Sequence, residues 1–421
     1  MDRNSACYQA YLEILREELV PAMGCTEPVA IAYCAALARR ALGEMPRRVE
    51  ARLSGNVIKN VKSVTVPGTG GLKGIAAAVA AGVVAGDPDK KLEVIAGLTD
   101  EARAKIRDFL ESVPIRVSAA NTDRSLEVSI TVRGEDSCAT AFVADKHTHL
   151  IFLEKDGETL FREEPQPEDT PEADDPLTMG GIYDFAATAC LEDVKDLIDR
   201  QIELNTRIAQ EGLSGEWGAG IGKVLLASGA DLPTRAKAMA AAGSDARMGG
   251  CALPVVINAG SGNQGLTVSL PVITYAREMG ASDEALCRAL LLSNLVSIHQ
   301  RYGMGRLSAF CGAVCAGAAA GAGITYLKNG GYEAVCHTVT NALAITSGIV
   351  CDGAKPSCAA KIAASVDAGL LGGRMVENGR GFSAGEGIVS EDIENTLSNV
   401  ARLGKDGMRE TDREILRIMV E

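Results

Sequence analysis

Aromatic residues are scarce in this 421-residue chain, at 4% with a single Trp, and nowhere are two cysteines spaced as C-x2-C. With 47% hydrophobic residues and 46 glycines, the core is therefore expected to pack through small side chains. The missing C-x2-C removes the close ligand pairs of structural zinc sites. Positive charge is short as well: 42 Lys and Arg against 55 Asp and Glu leave a net charge of −13. That balance argues against nucleic acid, whose phosphates demand a basic surface. The segment Met1-Asp-Arg-Asn-Ser5 carries no basic-then-apolar leader, so a cytoplasmic chain is expected. Its twelve cysteines are then reduced thiols or metal ligands, not a disulfide framework. The uncharged run 307–327 has the length of a membrane span, and Gly317-x3-Gly321 matches a membrane packing motif. It is mostly Ala and Gly, however. A helix buried in a bundle, with no membrane association, is the expectation.

What the chain does have is a stretch from Arg306 to Lys361 that holds Cys311, Cys315, Cys351 and Cys358 among Ala, Gly and Ser. Cys311 and Cys315 share one face of a helix. Cys351 and Cys358 would lie about 10.5 Å apart along a continuous helix, too far to grip one small group. Asp352-Gly353 and Lys355-Pro356 are turn and breaker signals, so a curled loop is expected, followed by a helix from near Ser357. Three thiolates at one point suit an iron–sulfur cluster. Small buried apolar cysteines are the alternative, and spacing alone leaves both open.

Taken in order, the chain predicts helices over 5–18 and 26–42, both packing with a later helical region. Cys25 then stands just before a helix N-terminus, where the dipole favours a thiolate. It is either a base or extra ligand, or an ordinary buried cysteine. From residue 46 to residue 162 an α/β unit with a mixed sheet is expected. Its strands lie near 47–54, 92–96, 114–119, 125–133, 138–145 and 148–154, the last three antiparallel, with helices at 72–85 and 99–112. The glycine-rich 67–74 loop is either an anion cradle or a plain turn. His147 and His149 are expected at the surface. Residues 163–180, rich in acid and Pro, read as a linker. From 181 to 421 the chain reads as helix after helix. Gly260-Ser-Gly-Asn-Gln-Gly265 matches a dinucleotide fingerprint, but no second strand ending in an acid follows. A backbone nest flanked by Asn258, Ser261, Asn263 and Gln264 suits an amino-acid carboxylate better, with His299 and Arg306 as helpers. The fold class is thus α+β: an all-helical C-terminal domain, joined by the N-terminal helices, with the α/β domain inserted.

Cys311 with Cys351-x6-Cys358, Gly24-Cys-Thr-Glu-Pro28, Ser54-Gly-Asn-Val-Ile-Lys-Asn60, Pro67–Gly74 and Asn258–Gly265 together resemble the L-cysteine desulfidases and the related iron–sulfur L-serine dehydratase alpha-subunit family. The resemblance runs from residue 24 to residue 361. It implies a lyase with a [4Fe-4S] cluster held by Cys311, Cys351 and Cys358; beside it, Cys25 is expected as catalytic base, with substrate contacts from Glu27, Asn56, Asn60, Lys73, Asn258, Ser261, Asn263 and Gln264. The implied reaction is α,β-elimination on a small L-amino acid. L-cysteine giving sulfide, ammonia and pyruvate is favoured, since the dehydratase branch spaces its last two cluster cysteines further apart and adds one near its C-terminus. L-serine dehydration, a cluster-based redox sensor, and a pyridoxal-phosphate lyase built on Lys361 or Lys73 are the alternatives. A small-molecule substrate is the expected partner, and a homodimer is one assembly the sequence allows.

Overall fold

The computed structural model describes residues 1–122, 124–163, 177–304 and 308–420. The chain opens with α1 (Ala6–Glu18), the short β1 (Pro21–Met23) and α2 (Thr26–Leu42). An α/β region follows, comprising β2 (Arg48–Leu53), α3 (Gly55–Val61), α4 (Gly74–Ala85), α5 (Asp100–Ser112), β3 (Ile115–Ala119), β4 (Glu127–Arg133), β5 (Cys138–Ala144), β6 (Leu150–Lys155) and β7 (Glu158–Arg162). Its strands form one mixed sheet in the order β3-β2-β4-β5-β6-β7, in which only β2 and β3 pair parallel. Alternation buries Val128, Ile130 and Val132 on the face of β4 that α2 covers.

The expected strand at 92–96 is instead a 3-10 turn over Pro88–Glu93, because Asp87 accepts the Asp89 N–H and Pro88 pre-sets the first turn. The acidic, Pro-rich segment lies mostly outside the described residues. Its expected end at 180 is too late, since Leu177 and Met179 are already buried and α6 (Met179–Thr188) has begun.

The helical region continues with α7 (Leu191–Ser214), α8 (Ile221–Ser228), α9 (Leu232–Met248), the short β8 (Pro254–Val256), α10 (Gly262–Glu278), α11 (Asp283–Tyr302), α12 (Gly312–Leu327), α13 (Tyr332–Thr346), α14 (Cys358–Glu377), α15 (Ile393–Arg402) and α16 (Arg409–Val420). The uncharged run forms α12, the central helix, surrounded by α10, α11, α13 and α14. Among the described residues no helix is long and apolar enough to cross a membrane.

Two hydrophobic cores result. One holds α1 and the helical region; the other holds α2, α4 and the sheet. This departs from the expectation that both N-terminal helices pack with the helical region. Gly82 of α4 lies so close to α2 that an added Cβ would stand 2.2 Å from the Ala32 carbonyl, and the Cys34 thiol donates to the Ala141 carbonyl at 3.3 Å. Small residues lock α2 to its own sheet.

Candidate functional site

The small residues of α12 decide where the cysteines go. A Cβ added at Gly317 would stand 2.4 Å from the Ser365 backbone, and one at Gly321 would stand 2.5 Å from the Gly369 carbonyl. Both pairs carry the same offset, so α12 and α14 run parallel with their backbones touching. Their N-termini therefore share one end. Cys311 is the N-cap of α12 and Cys358 the first residue of α14, so both thiols stand there, where helix dipoles favour anions.

Cys351 is brought in by a short antiparallel bridge. Phe310 pairs with Val350, Cys311 N–H donates to Ile349 O at 3.1 Å, and Cys351 N–H donates to Ala309 O at 2.6 Å. The 351–358 segment does curl. Gly353 takes φ +93°, Lys355 donates to the Asp352 and Gly353 carbonyls at 3.1 and 3.2 Å, and the Cys358 thiol donates to Gly353 O at 3.6 Å.

The Cys311 and Cys351 thiols hydrogen-bond each other, and Cys358 is close enough to feel the Cys351 charge and to add its own to Cys311. The Cys311 bond lowers Cys351 below the ordinary thiol range against the pull of burial, with the Lys59 and Lys361 ammonium groups adding to the effect. Cys311 moves up, as the donor of that bond and through burial. Lys361 is tied to Asp352 and to the Val350 carbonyl, an anchoring role for the loop. Among the described residues no three His, Cys, Asp or Glu side chains are arranged to hold a single metal ion. A cluster asks for something different, one thiolate per iron, and three cysteines at one end of two helices are a donor set of that kind. Cys315 is fully buried in the helical core.

A second group forms around Glu27. β1 pairs with β8, tying the Cys25 segment to the 254–264 segment. Gly24 takes φ +58° and sits where a Cβ would meet Pro67 at 2.0 Å. The buried Glu27 carboxylate accepts from the Cys25 thiol at 2.9 Å and the Thr26 hydroxyl at 3.1 Å on one oxygen, and from the Asn60 amide at 3.0 Å on the other. Thr26 also reaches the Gly260 carbonyl at 3.1 Å.

Burial raises Cys25 well above the ordinary thiol range, and the Glu27 charge adds to this. The expectation that the helix N-terminus favours a Cys25 thiolate is thus corrected: burial beside a carboxylate outweighs the dipole. Glu27 itself is lowered, because His147, the Cys25 donor and Arg247 together overcome its own burial. His147 is buried against this group, contrary to the surface position expected for it, while His149 lies near Asp145 and Glu163.

The two groups meet at α3 and α10. Asn60 bonds Glu27, while its neighbour Lys59 faces Cys351 and pairs with Asp412 of α16. Gln264 lies against Gly312, beside Cys311. Arg247, at the end of α9, lies against Gly262 at the start of α10. Several buried polar atoms here have no partner: Asn56 Oδ1, Asn258 Oδ1, Asn263 Oδ1, Gln264 Oε1 and Arg247 Nε. Such groups are rare and costly unless a ligand completes them.

Of the sequence-derived substrate residues, Asn56, Asn60, Asn258, Ser261, Asn263 and Gln264 belong to these converging segments. Ser261 is the uncapping N-cap of α10, following an Ala259-Gly260 turn with both φ angles positive. That tight turn is closed by reciprocal Asn258–Ser261 hydrogen bonds.

Lys73 differs: it is exposed at the N-cap of α4, closing a hairpin with Thr65. The glycine-rich loop is committed to packing, with Gly68 N–H on the Gly250 carbonyl and the Gly68 carbonyl taken by Arg103. His299 bonds Glu394 on α15 at 2.8 Å, and Arg306 lies outside the described residues. Sequence reading missed Arg247 and Asp412, which carry no local signal. For Lys59, inside a quoted motif, sequence alone leaves a polar contact and a structural role both open.

The serine dehydratase alpha chain family model matches residues 89–417. A UPF0597 protein of Desulfitobacterium hafniense is 54% identical, covering 100% of this chain and 98% of its own length. The chain belongs to the serine dehydratase alpha-chain family. UPF0597 proteins of Lachnoclostridium phytofermentans and Finegoldia magna are 47% and 45% identical, each over 98% of this chain and nearly all of their own length. For a member of this family, a lyase site with thiols at helix N-termini and unpartnered amides is a coherent reading.

Proposed function

We propose that this protein is an iron–sulfur dependent lyase that eliminates sulfide from L-cysteine, leaving ammonia and pyruvate. The observation that carries the reading is the convergence of Cys311, Cys351 and Cys358 at the shared end of α12 and α14, with the Cys25–Glu27 pair linked to them through Lys59-Asn60 and Gln264. The donor set fits a [4Fe-4S] cluster: three cysteines, two helix N-termini, and the Lys59 and Lys361 charges to balance thiolates. Bound there, the cluster would supply a Lewis-acidic iron with one position free for a leaving group.

The chain's own residues do the rest. Arg247 and the α10 N-terminus attract the substrate carboxylate. The unpartnered amide oxygens of Asn56, Asn258, Asn263 and Gln264 are acceptors for its ammonium group. Cys25 takes the α-proton. Cysteine is favoured by the likeness of Gly24–Pro28 and Cys351-x6-Cys358 to the desulfidase branch. The family's description as serine dehydratases makes L-serine the second reading.

Anaerobically purified protein with reconstituted iron is offered L-cysteine, L-serine and L-alanine, and sulfide and pyruvate are measured. Sulfide and pyruvate in equal amounts from cysteine are expected. Pyruvate from serine alone moves the assignment to the dehydratase. No turnover of any, or equal turnover by iron-free protein, overturns the proposal.

A further inference from the structure

A buried thiol that already carries its proton cannot accept another. Cys25 is 3% exposed, and its Sγ–H is donated to Glu27 at 2.9 Å. As base it first has to lose that proton, and Glu27 is the carboxylate in contact with it. Glu27 in turn is arranged to be ionised at rest. It receives three hydrogen bonds from the chain, from Cys25, Thr26 and Asn60, in a buried site. Charge-assisted bonds of this kind stabilise a carboxylate. The charged or titratable groups facing the pair are His147 from the turn after β5, Arg247 from the end of α9, and Cys25 itself. Three donors from its own chain already hold the Glu27 carboxylate before any substrate arrives.

We infer that Glu27 is the proton acceptor that arms Cys25. The reading rests on Cys25 as the base of the proposed elimination. The Cys25 S–H bond breaks and its proton moves across the 2.9 Å contact to Glu27 Oε2. The resulting thiolate takes the substrate α-proton, re-forming S–H while the Cα–H electron pair becomes the new double bond and the leaving group departs with the β-bond pair. Glu27 then gives its proton to the departing sulfide, and both residues return to their starting state. Glu27 exchanges its proton with the reacting atoms, first with Cys25 and last with the departing sulfide, so in this step it is a catalytic residue.

The test is the pH profile of kcat/KM for Glu27→Gln, with iron content measured in parallel. The variant is expected to keep its iron and to lose about 10²–10⁴-fold in turnover near neutral pH. That deficit shrinks by about tenfold per pH unit as solution hydroxide takes over from the missing carboxylate, whereas the parent enzyme changes little over the same range. A deficit constant with pH, or near-normal turnover, overturns the inference. Should the amide variant fail to fold, Glu27→Asp decides: lower turnover with an unshifted profile supports the assignment, and a profile shifted to high pH sinks it. A fully active Cys25→Ala would instead overturn the base reading beneath it, so the two failures are told apart.

Discussion

Lys59 and Asp412 link the sheet region to the last helix, and their unequal burial makes a sharp prediction. The Lys59 side chain is 1% exposed, while Asp412 keeps 18% of its surface. Asp412→Asn takes the carboxylate partner away from a buried ammonium, a loss that typically costs about 3–5 kcal/mol. Lys59→Met removes that charge, keeps most of the stem volume, and leaves a carboxylate that still reaches water. Its cost is expected near 1–2 kcal/mol, the range for a polar group left partly unsatisfied. The double variant should be more stable than Asp412→Asn alone, because no charge remains buried. Equilibrium urea denaturation of the four iron-free proteins reads this cycle, and iron uptake is followed separately because Lys59 also faces Cys351. The reasoning is refuted if Lys59→Met is the more damaging single change, or if the double variant loses the sum of the two.

Serine at Cys311, Cys351 or Cys358 should abolish iron binding and turnover, whereas Cys315→Ala should keep its iron; metal analysis after anaerobic reconstitution checks both. Gly353→Ala puts a Cβ 2.4 Å from the Lys59 carbonyl at φ +93°, so the cysteine loop should open and iron affinity fall, as a chelator competition would show. Arg247→Gln should raise KM for L-cysteine far more than it weakens cysteamine, which lacks the carboxylate; equal losses would mean a purely structural arginine. Asp352 is lowered to about 2, because Lys355 and Lys361 outweigh the opposing effect of its burial. Its folded value lies below the unfolded one of about 3.9, so its contribution is present above roughly pH 4 and lost as pH falls toward 2. Asp352→Asn should flatten that part of the stability–pH curve.

Local chemistry along the chain was enough for the α+β class, for most helices and for the strands of the main sheet except the edge strand β7. Periodicity and breakers act over a few residues, and Asp352-Gly353 with Pro356 dictated a curl that the fold keeps. The family was legible too, because its motifs are contiguous. Which core α2 joins was not, since its apolar faces suit either side and tertiary contacts such as Gly82–Ala32 and Cys34–Ala141 choose. Nor could spacing place Cys311 beside Cys358. That follows from the parallel register of α12 and α14, set by glycines in contact across a long stretch of sequence. The ionisation of Cys25 went the same way: a helix N-terminus is visible in the sequence, but the burial that overrides it, with His147 and Arg247 arriving from distant segments, belongs to the tertiary structure. Charges and packing surfaces act through space, and the folded chain alone decides which of them meet.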